Sequence, residues 1–322
     1  MNFGLLFENL SNPALLFFLF GIIAVMLKSD LQIPDSSSKF ISLYLLFSIG
    51  FKGGHELAHA ELGWSVFWTV LFALSTAVLI PIYSFFILKR KLGSQNAGAI
   101  AASYGSISAV TFITAVSFLE LQKISFGGHM VAIMAMLEAP AIMVGVLLLN
   151  IYKEEKSGKL LDRSVISHAF TNGSVLLILG SLVIGWIASD SQAKGIEPFT
   201  TDIFKGFLAI FLLDMGISSG KKLGNLFQHG KFIFAFSILM PLFNGVLVSI
   251  LSGLITAEVG DRFLLSILAA SASYIAVPAA MKIAAPKANP SLYLPMALAI
   301  TFPFNITLGF PVYMKIIEMN LL

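Results

Sequence analysis

The chain contains no cysteine, which excludes disulfides, thiolate metal centres and cysteine nucleophiles and leaves cysteine usage silent on redox compartment. Charge is almost as scarce. Asp, Glu, Lys and Arg make up 11% of the 322 residues, where a soluble domain carries about 25%. Apolar residues make up 57%, and the mean hydropathy is +0.90. A soluble globular protein is thereby excluded, and the chain reads as a polytopic membrane protein. The N-terminal segment carries Glu8, no early Lys or Arg and no small-residue cleavage site. The first hydrophobic helix is therefore expected to be retained rather than removed as a signal peptide.

A spanning helix needs roughly 20 apolar residues. Ten such runs are present, at about 10–27, 40–57, 63–88, 96–119, 127–151, 172–188, 201–220, 231–255, 262–285 and 291–317. The connections are short, and the longest, KEEKSGKLLDR at 153–163, separates the fifth span from the sixth. No additional soluble domain fits between them. Of the 20 Lys and Arg, fourteen fall in the odd-numbered connections, among them Lys89, Arg90, Lys91, Lys153, Lys221 and Lys222. The positive-inside rule places those connections in the cytoplasm and both termini outside. The net charge of +3 is then a topology signal and gives no support to nucleic-acid binding.

The two halves repeat one another. The second span ends in LFSIGFKGGHEL (46–57) and the seventh in LLDMGISSGKKL (212–223), so that at an offset of 166 Gly50 falls on Gly216 and Gly54 on Gly220. Each G-x-x-x-G pair lets two backbones approach closely in lipid. The fourth span holds AASYGSISAVTF (101–112), the ninth holds SASYIAVPAAM (271–281), and Ser103-Tyr104 matches Ser273-Tyr274. Five spans per half is an odd number, so the second half enters the membrane from the opposite side. The expected architecture is an all-α integral membrane protein of ten transmembrane helices. It comprises a first five-helix repeat at 1–151, a cytoplasmic connection at 152–171 and a second, inverted repeat at 172–322, with broken helices 4 and 9. Secondary transporters built this way bind substrate and coupling ion near the midplane, at interrupted helices in corresponding positions.

The interruptions carry the expected site. Ser103, Gly105, Ser106, Ser108 and Thr111 weaken helix continuity in the fourth span. In the ninth, Ser271, Ala272 and Ser273 do the same, and Pro278 forbids regular hydrogen bonding one turn later. The half-helix that begins after a break presents free N–H groups to an anion. The half that ends before it offers carbonyls to a cation. No Lys or Arg lies inside either run, which points to a small anion moved together with a hard monovalent cation. Gly and Ser also occur in membrane helices simply as packing residues, but two such runs in symmetric positions favour a site. Glu138 in the fifth span is an intramembrane carboxylate able to ligate the cation, take a proton or bond to a neighbour. Asn305 and Thr301 in the tenth span offer oxygen ligands or interhelical hydrogen bonds. Lys52 and Asp214, beside the two glycine pairs, are expected to form an ion pair between the repeats.

HELAH (55–59) fits H-E-x-x-H, which on a helix sets two imidazoles on one face with a glutamate between them. It ends a span on the expected outer side, and His129, His168, His229 and nearby carboxylates such as Glu61 give no recognisable third-ligand motif. A solvated helix end is the simpler reading, with a zinc protease as the alternative it must be weighed against. Trp64, Trp68 and Trp186 fit an interfacial aromatic belt.

Together IGFKGG (49–54), YGSISAVTF (104–112), FLELQKI (118–124), LEAPAIMVG (137–145), FLLDMG (211–216), SASYIAVPAAM (271–281) and APKANPSLYLPMALAITFPFN (285–305) resemble the sodium-dependent bicarbonate transporter family, the SbtA-type permeases, over essentially the full length. The resemblance implies Na⁺-coupled bicarbonate import across a bacterial inner membrane, an elevator-type homotrimer with gate and core domains, and a PII-like regulatory protein on the cytoplasmic face. It also implies no cofactor beyond Na⁺ and no enzymatic activity. Carried onto this chain, the anion contacts would be Gly105, Ser106, Ser108, Ala272 and Ser273. The sodium contacts would be Ser103, Thr111, Glu138, Ser271 and Asn305. The alternatives are an organic-anion or proton-coupled carrier on the same scaffold and a non-transporting membrane receptor for a PII-like protein.

Overall fold

A computed structural model describes residues 13–59, 63–152, 173–226 and 230–320. Among them there is no strand, and a helix occupies each of the ten expected spans. The elements are α1 (Pro13–Met26), α2 (Asp35–Ala58), α3 (Trp64–Gly105), α4 (Ala109–Leu121), α5 (His129–Tyr152), α6 (Gly173–Ile187), α7 (Asp190–Glu197), α8 (Phe204–Leu226), α9 (Lys231–Leu251), α10 (Val259–Ala270), α11 (Ala276–Ala284) and α12 (Pro290–Met319). Five helical runs, Trp64–Leu121, His129–Tyr152, Asp190–Lys222, Lys231–Leu254 and Pro290–Met319, are long and apolar enough to cross a membrane. Two shorter apolar helices, α1 and α6, accompany them. The connection at 153–172 lies outside the described residues, as do His168, His229 and Glu61.

The apolar residues fall on all sides of these helices; α10 is buried along almost its whole length, while helices such as α1 bury only one face. On α1, Leu15, Phe18, Gly21 and Ala24 recur every three residues and face inward, while Leu16, Phe17, Phe20 and Ile23 are exposed. In water such exposure would be a liability, whereas a hydrocarbon solvent accepts it. Trp64, Trp68 and Trp186 are likewise exposed.

The glycine pairs do what their spacing predicts. A Cβ on Gly54 would stand 2.0 Å from the Leu182 carbonyl oxygen of α6, and one on Gly185 2.1 Å from that of Phe51 on α2. In the other half, a Cβ on Gly216 of α8 would stand 2.0 Å from the Phe18 carbonyl oxygen of α1. Thus the first helix of each half packs on the second helix of the other, through backbone contact at glycine.

Two local features depart from the expected pattern. The third span and the start of the fourth, both within α3, are two helices that meet with no intervening loop at Gly93, whose φ of 73° and ψ of 167° break helical geometry in a conformation open to glycine. In α12 the chain widens into π-helical stretches at Met296–Thr301 and Asn305–Gly309. Pro303 and Pro311 remove N–H groups from that helix, and the wider turns accommodate the missing bonds. The connection between α6 and α8 contains a short polar helix, α7. Its start is fixed by a capping box between Ser189 and Gln192.

Candidate functional site

Helix α3 ends at Gly105, residues 106–108 run extended, and α4 begins at Ala109. Helix α10 ends at Ala270, and α11 begins at Ala276. Both breaks thus fall where the small and hydroxyl residues lie. Pro278 does not cause the second break: it sits in the first turn of α11, where a helix does not need its N–H.

The two breaks cross, and each satisfies the other's backbone. Ser273 N–H donates to the Ser103 carbonyl at 2.8 Å, and Ser103 Oγ donates to the Ser273 carbonyl at 2.5 Å. Ser108 N–H donates to Ser271 Oγ at 3.0 Å, and that hydroxyl donates onward to the Leu268 carbonyl at 3.1 Å. Ser108 Oγ caps α4 by accepting from Thr111 N–H at 3.2 Å. All six of these residues are buried. Exchanged in this way, the backbone groups freed by two broken helices are paired in a place water does not reach.

One hydroxyl is left over. Ser106 Oγ is fully buried and has no hydrogen-bond partner. Beside the crossing lies a cavity of about 20 Å³, room for roughly one water-sized species. Ser108, Val110, Glu138, Ser273 and Tyr274 border it. Glu138 is 8% exposed and no described residue donates to its carboxylate or forms an ion pair with it.

The remaining expected residues have structural duties in this arrangement. Gly105 closes on the Pro81 ring, where a Cβ would stand 2.3 Å from Cγ. Ala272 is buried within the second break. Asn305 lies off the cavity wall: its Nδ2 donates to the Ala270 carbonyl at 2.8 Å and its Oδ1 accepts from Tyr313 at 3.2 Å. Thr301 joins the Tyr104 hydroxyl at 2.7 Å and donates to the Ser237 carbonyl at 2.8 Å. Asn244, which the sequence reading passed over, donates to the Ala269 carbonyl at 3.1 Å. Two asparagines therefore cap the final carbonyls of α10 from neighbouring helices.

The expected Lys52–Asp214 pair does not form. Lys52 Nζ meets Glu120 Oε1 at 2.8 Å, and Asp214 accepts from Ser38 Oγ at 2.5 Å. Ser38 and Lys52 are fourteen residues apart on α2, about 21 Å along its axis, so Asp214, level with the start of α2, is far from Lys52. With Glu56 and Glu120, Lys52 lines a larger cavity of about 370 Å³ between α2, α4, the start of α5 and Phe204 of α8. The third acidic or basic partner for HELAH, absent from the sequence reading, is Asp190 at the start of α7. Its Oδ1 stands 3.4 Å from His55 Nε2 and 3.2 Å from His59 Nε2.

The profile of the Na⁺-dependent bicarbonate transporter superfamily matches residues 13–318. The chain belongs to this superfamily. The match takes in both halves and both breaks, so the crossing described above lies within the family's domain. Membership makes the chain a member of a transporter family, in keeping with its apolar membrane-length helices. None of the curated proteins compared with the chain matches it.

Proposed function

We propose that this protein imports bicarbonate together with Na⁺ by alternating access, with the anion and the cation held where α3–α4 and α10–α11 cross. The observation that carries this reading is the crossing itself: two interruptions pair each other's backbone, and a small cavity beside them is lined by Ser108, Ser273 and the buried Glu138, whose carboxylate has no partner among the described residues. Ala109 and Val110, the first residues of α4, line that cavity, and the start of a helix suits an anion. Glu138 and the serine oxygens suit a hard cation. The cavity as it stands accepts about one water-sized species, so bicarbonate requires the space between the crossing and Leu46 of α2 and Ile178 of α6, which also line it, to widen.

The reciprocal packing of α1 on α8 and α2 on α6 supports ten helices arranged as two inverted repeats. In that arrangement the four glycine-backed helices form a gate, and the helices carrying the breaks slide against it as an elevator. The both-termini-outside topology in a bacterial inner membrane, the homotrimer and a cytoplasmic PII-like regulator belong to the same proposal. A second reading, proton coupling on this scaffold, rests on Glu138, because a buried carboxylate without a cation can instead carry a proton.

Thermal unfolding of the detergent-solubilised protein, screened against Na⁺, K⁺ and a panel of small anions, tests the reading. Na⁺ with bicarbonate should stabilise the wild type more than either alone, and Ser108→Ala or Ser273→Ala should reduce that gain. Stabilisation by an organic anion, or indifference to Na⁺, would contradict it.

A further inference from the structure

The outer end of α2 holds a cluster that transport at the crossing does not use. His55 and His59 lie one turn apart on the same helix face, their rings 4.9 Å apart, and Asp190 of α7 faces both. One ligand atom from each of the three lies within 4.8 Å of the others.

Three physical facts distinguish this cluster from a chance surface grouping. First, the Asp190 Oδ1 to Nε2 separations of 3.4 and 3.2 Å match the roughly 3.3 Å edge of a tetrahedron whose centre is about 2.0 Å from each nitrogen and oxygen. Second, His59 Nδ1 lies 2.9 Å from the His55 carbonyl oxygen. A carbonyl only accepts, so Nδ1 carries the proton and Nε2 of a neutral ring presents its lone pair to Asp190. A lone pair facing a carboxylate at 3.2 Å is repulsive unless a proton or a metal ion stands between them. Third, the side chains are reachable: His59 and Asp190 are 58% and 70% exposed and His55 is 26% exposed.

We propose that His55 Nε2, His59 Nε2 and Asp190 Oδ1 bind one divalent transition-metal ion of the Zn²⁺ class on the outer face, with water completing the coordination. Imidazole and carboxylate together select Zn²⁺, Co²⁺ or Ni²⁺ over Ca²⁺ and Mg²⁺. The ion ties the last turn of α2 to the first residue of α7. One side of a neighbouring cavity of about 290 Å³ is formed by His55 and Asp190, and it shares Lys52 and Glu56 with the outer cavity. The tether therefore sits at the rim of the space between α2 and α4. Its existence does not depend on what the crossing carries.

The untagged, full-length protein, stripped with chelator and solubilised in detergent, is titrated with ZnCl₂ and separately with CoCl₂. Wild type is expected to retain one equivalent of zinc after desalting, to give the visible absorption of four-coordinate Co²⁺, and to unfold at higher temperature with zinc than without. His59→Ala and Asp190→Asn should lose the bound equivalent, the cobalt band and the zinc-dependent shift, while matching the metal-free wild type in elution and unfolding temperature. Wild type without a stoichiometric equivalent, or variants that bind zinc as wild type does, would overturn the site. Should His59→Ala fail to fold, Asp190→Asn, which preserves shape, decides the matter by the same three readouts.

Discussion

Glu138 concentrates the chemistry of the crossing into one side chain. It is buried on α5 and lines one small cavity with Ser108, Ser273 and Tyr274, and a carboxylate held there without a protein cation needs an ion or a proton to be tolerated. Glu138→Gln keeps the volume and removes the charge, so folding should survive. The sodium-dependent part of uptake should fall by about 10-fold or more, the scale of losing one contact to a charged group. An unchanged Na⁺ dependence of uptake in that variant would remove Glu138 from coupling. At the rim, Lys52 and Glu120 form a partly exposed pair at 2.8 Å, which is worth only about 0.2–1 kcal/mol. Either charge reversal alone, Lys52→Glu or Glu120→Lys, should lower the unfolding temperature slightly, and the double exchange should restore it. Combining Lys52→Asp with Asp214→Lys should restore nothing, since those groups do not meet. The sequence pointed to Lys52 but paired it with Asp214 and passed over Glu120, because pairing depends on depth along a helix and on which helix lies opposite.

Helices and breaks were far more legible than side-chain partners. Ser106 and Ser108, and Ser271 to Ser273, stand in apolar runs where no packing need explains so many hydroxyls, and the helices do break there. Pro278 misled in detail, since proline at the start of a helix costs nothing and signals a beginning as readily as an end. The helix α7 was hidden because its polar composition resembles a loop and its cap is a purely local device. With it went Asp190, and so the third member of the histidine cluster. The glycine pairs were read correctly because backbone contact leaves a sequence signature that side-chain contact does not. Gly54→Leu or Gly216→Leu forces apart helices whose backbones leave no space for even a Cβ, which should cost roughly 1–3 kcal/mol or more. Gly195→Leu, on α7 where nothing lies within 4 Å of a Cβ, should leave the unfolding temperature unchanged. Equal effects of the three substitutions in a thermal unfolding series would show that the glycine contacts do not hold α1, α2, α6 and α8 together.

At the scale of the whole molecule, the two halves of the chain interlock. The first helix of each half lies on the second helix of the other, and the interruption in each half hydrogen-bonds to the interruption in the other. Neither half can complete its packing or satisfy its broken backbone alone. A site made at such a crossing can be exposed to one side of the membrane and then the other by moving the broken helices as a body, with no need to rebuild the site. Coupling follows if that movement requires both ions, the cation offsetting the anion's charge in a place without Lys or Arg. The central claim is tested most directly by uptake of labelled bicarbonate into proteoliposomes containing the purified protein, at fixed pH and membrane potential. Sodium coupling requires accumulation when Na⁺ is inwardly directed and little when K⁺ replaces it. Equal uptake with and without the Na⁺ gradient would contradict symport.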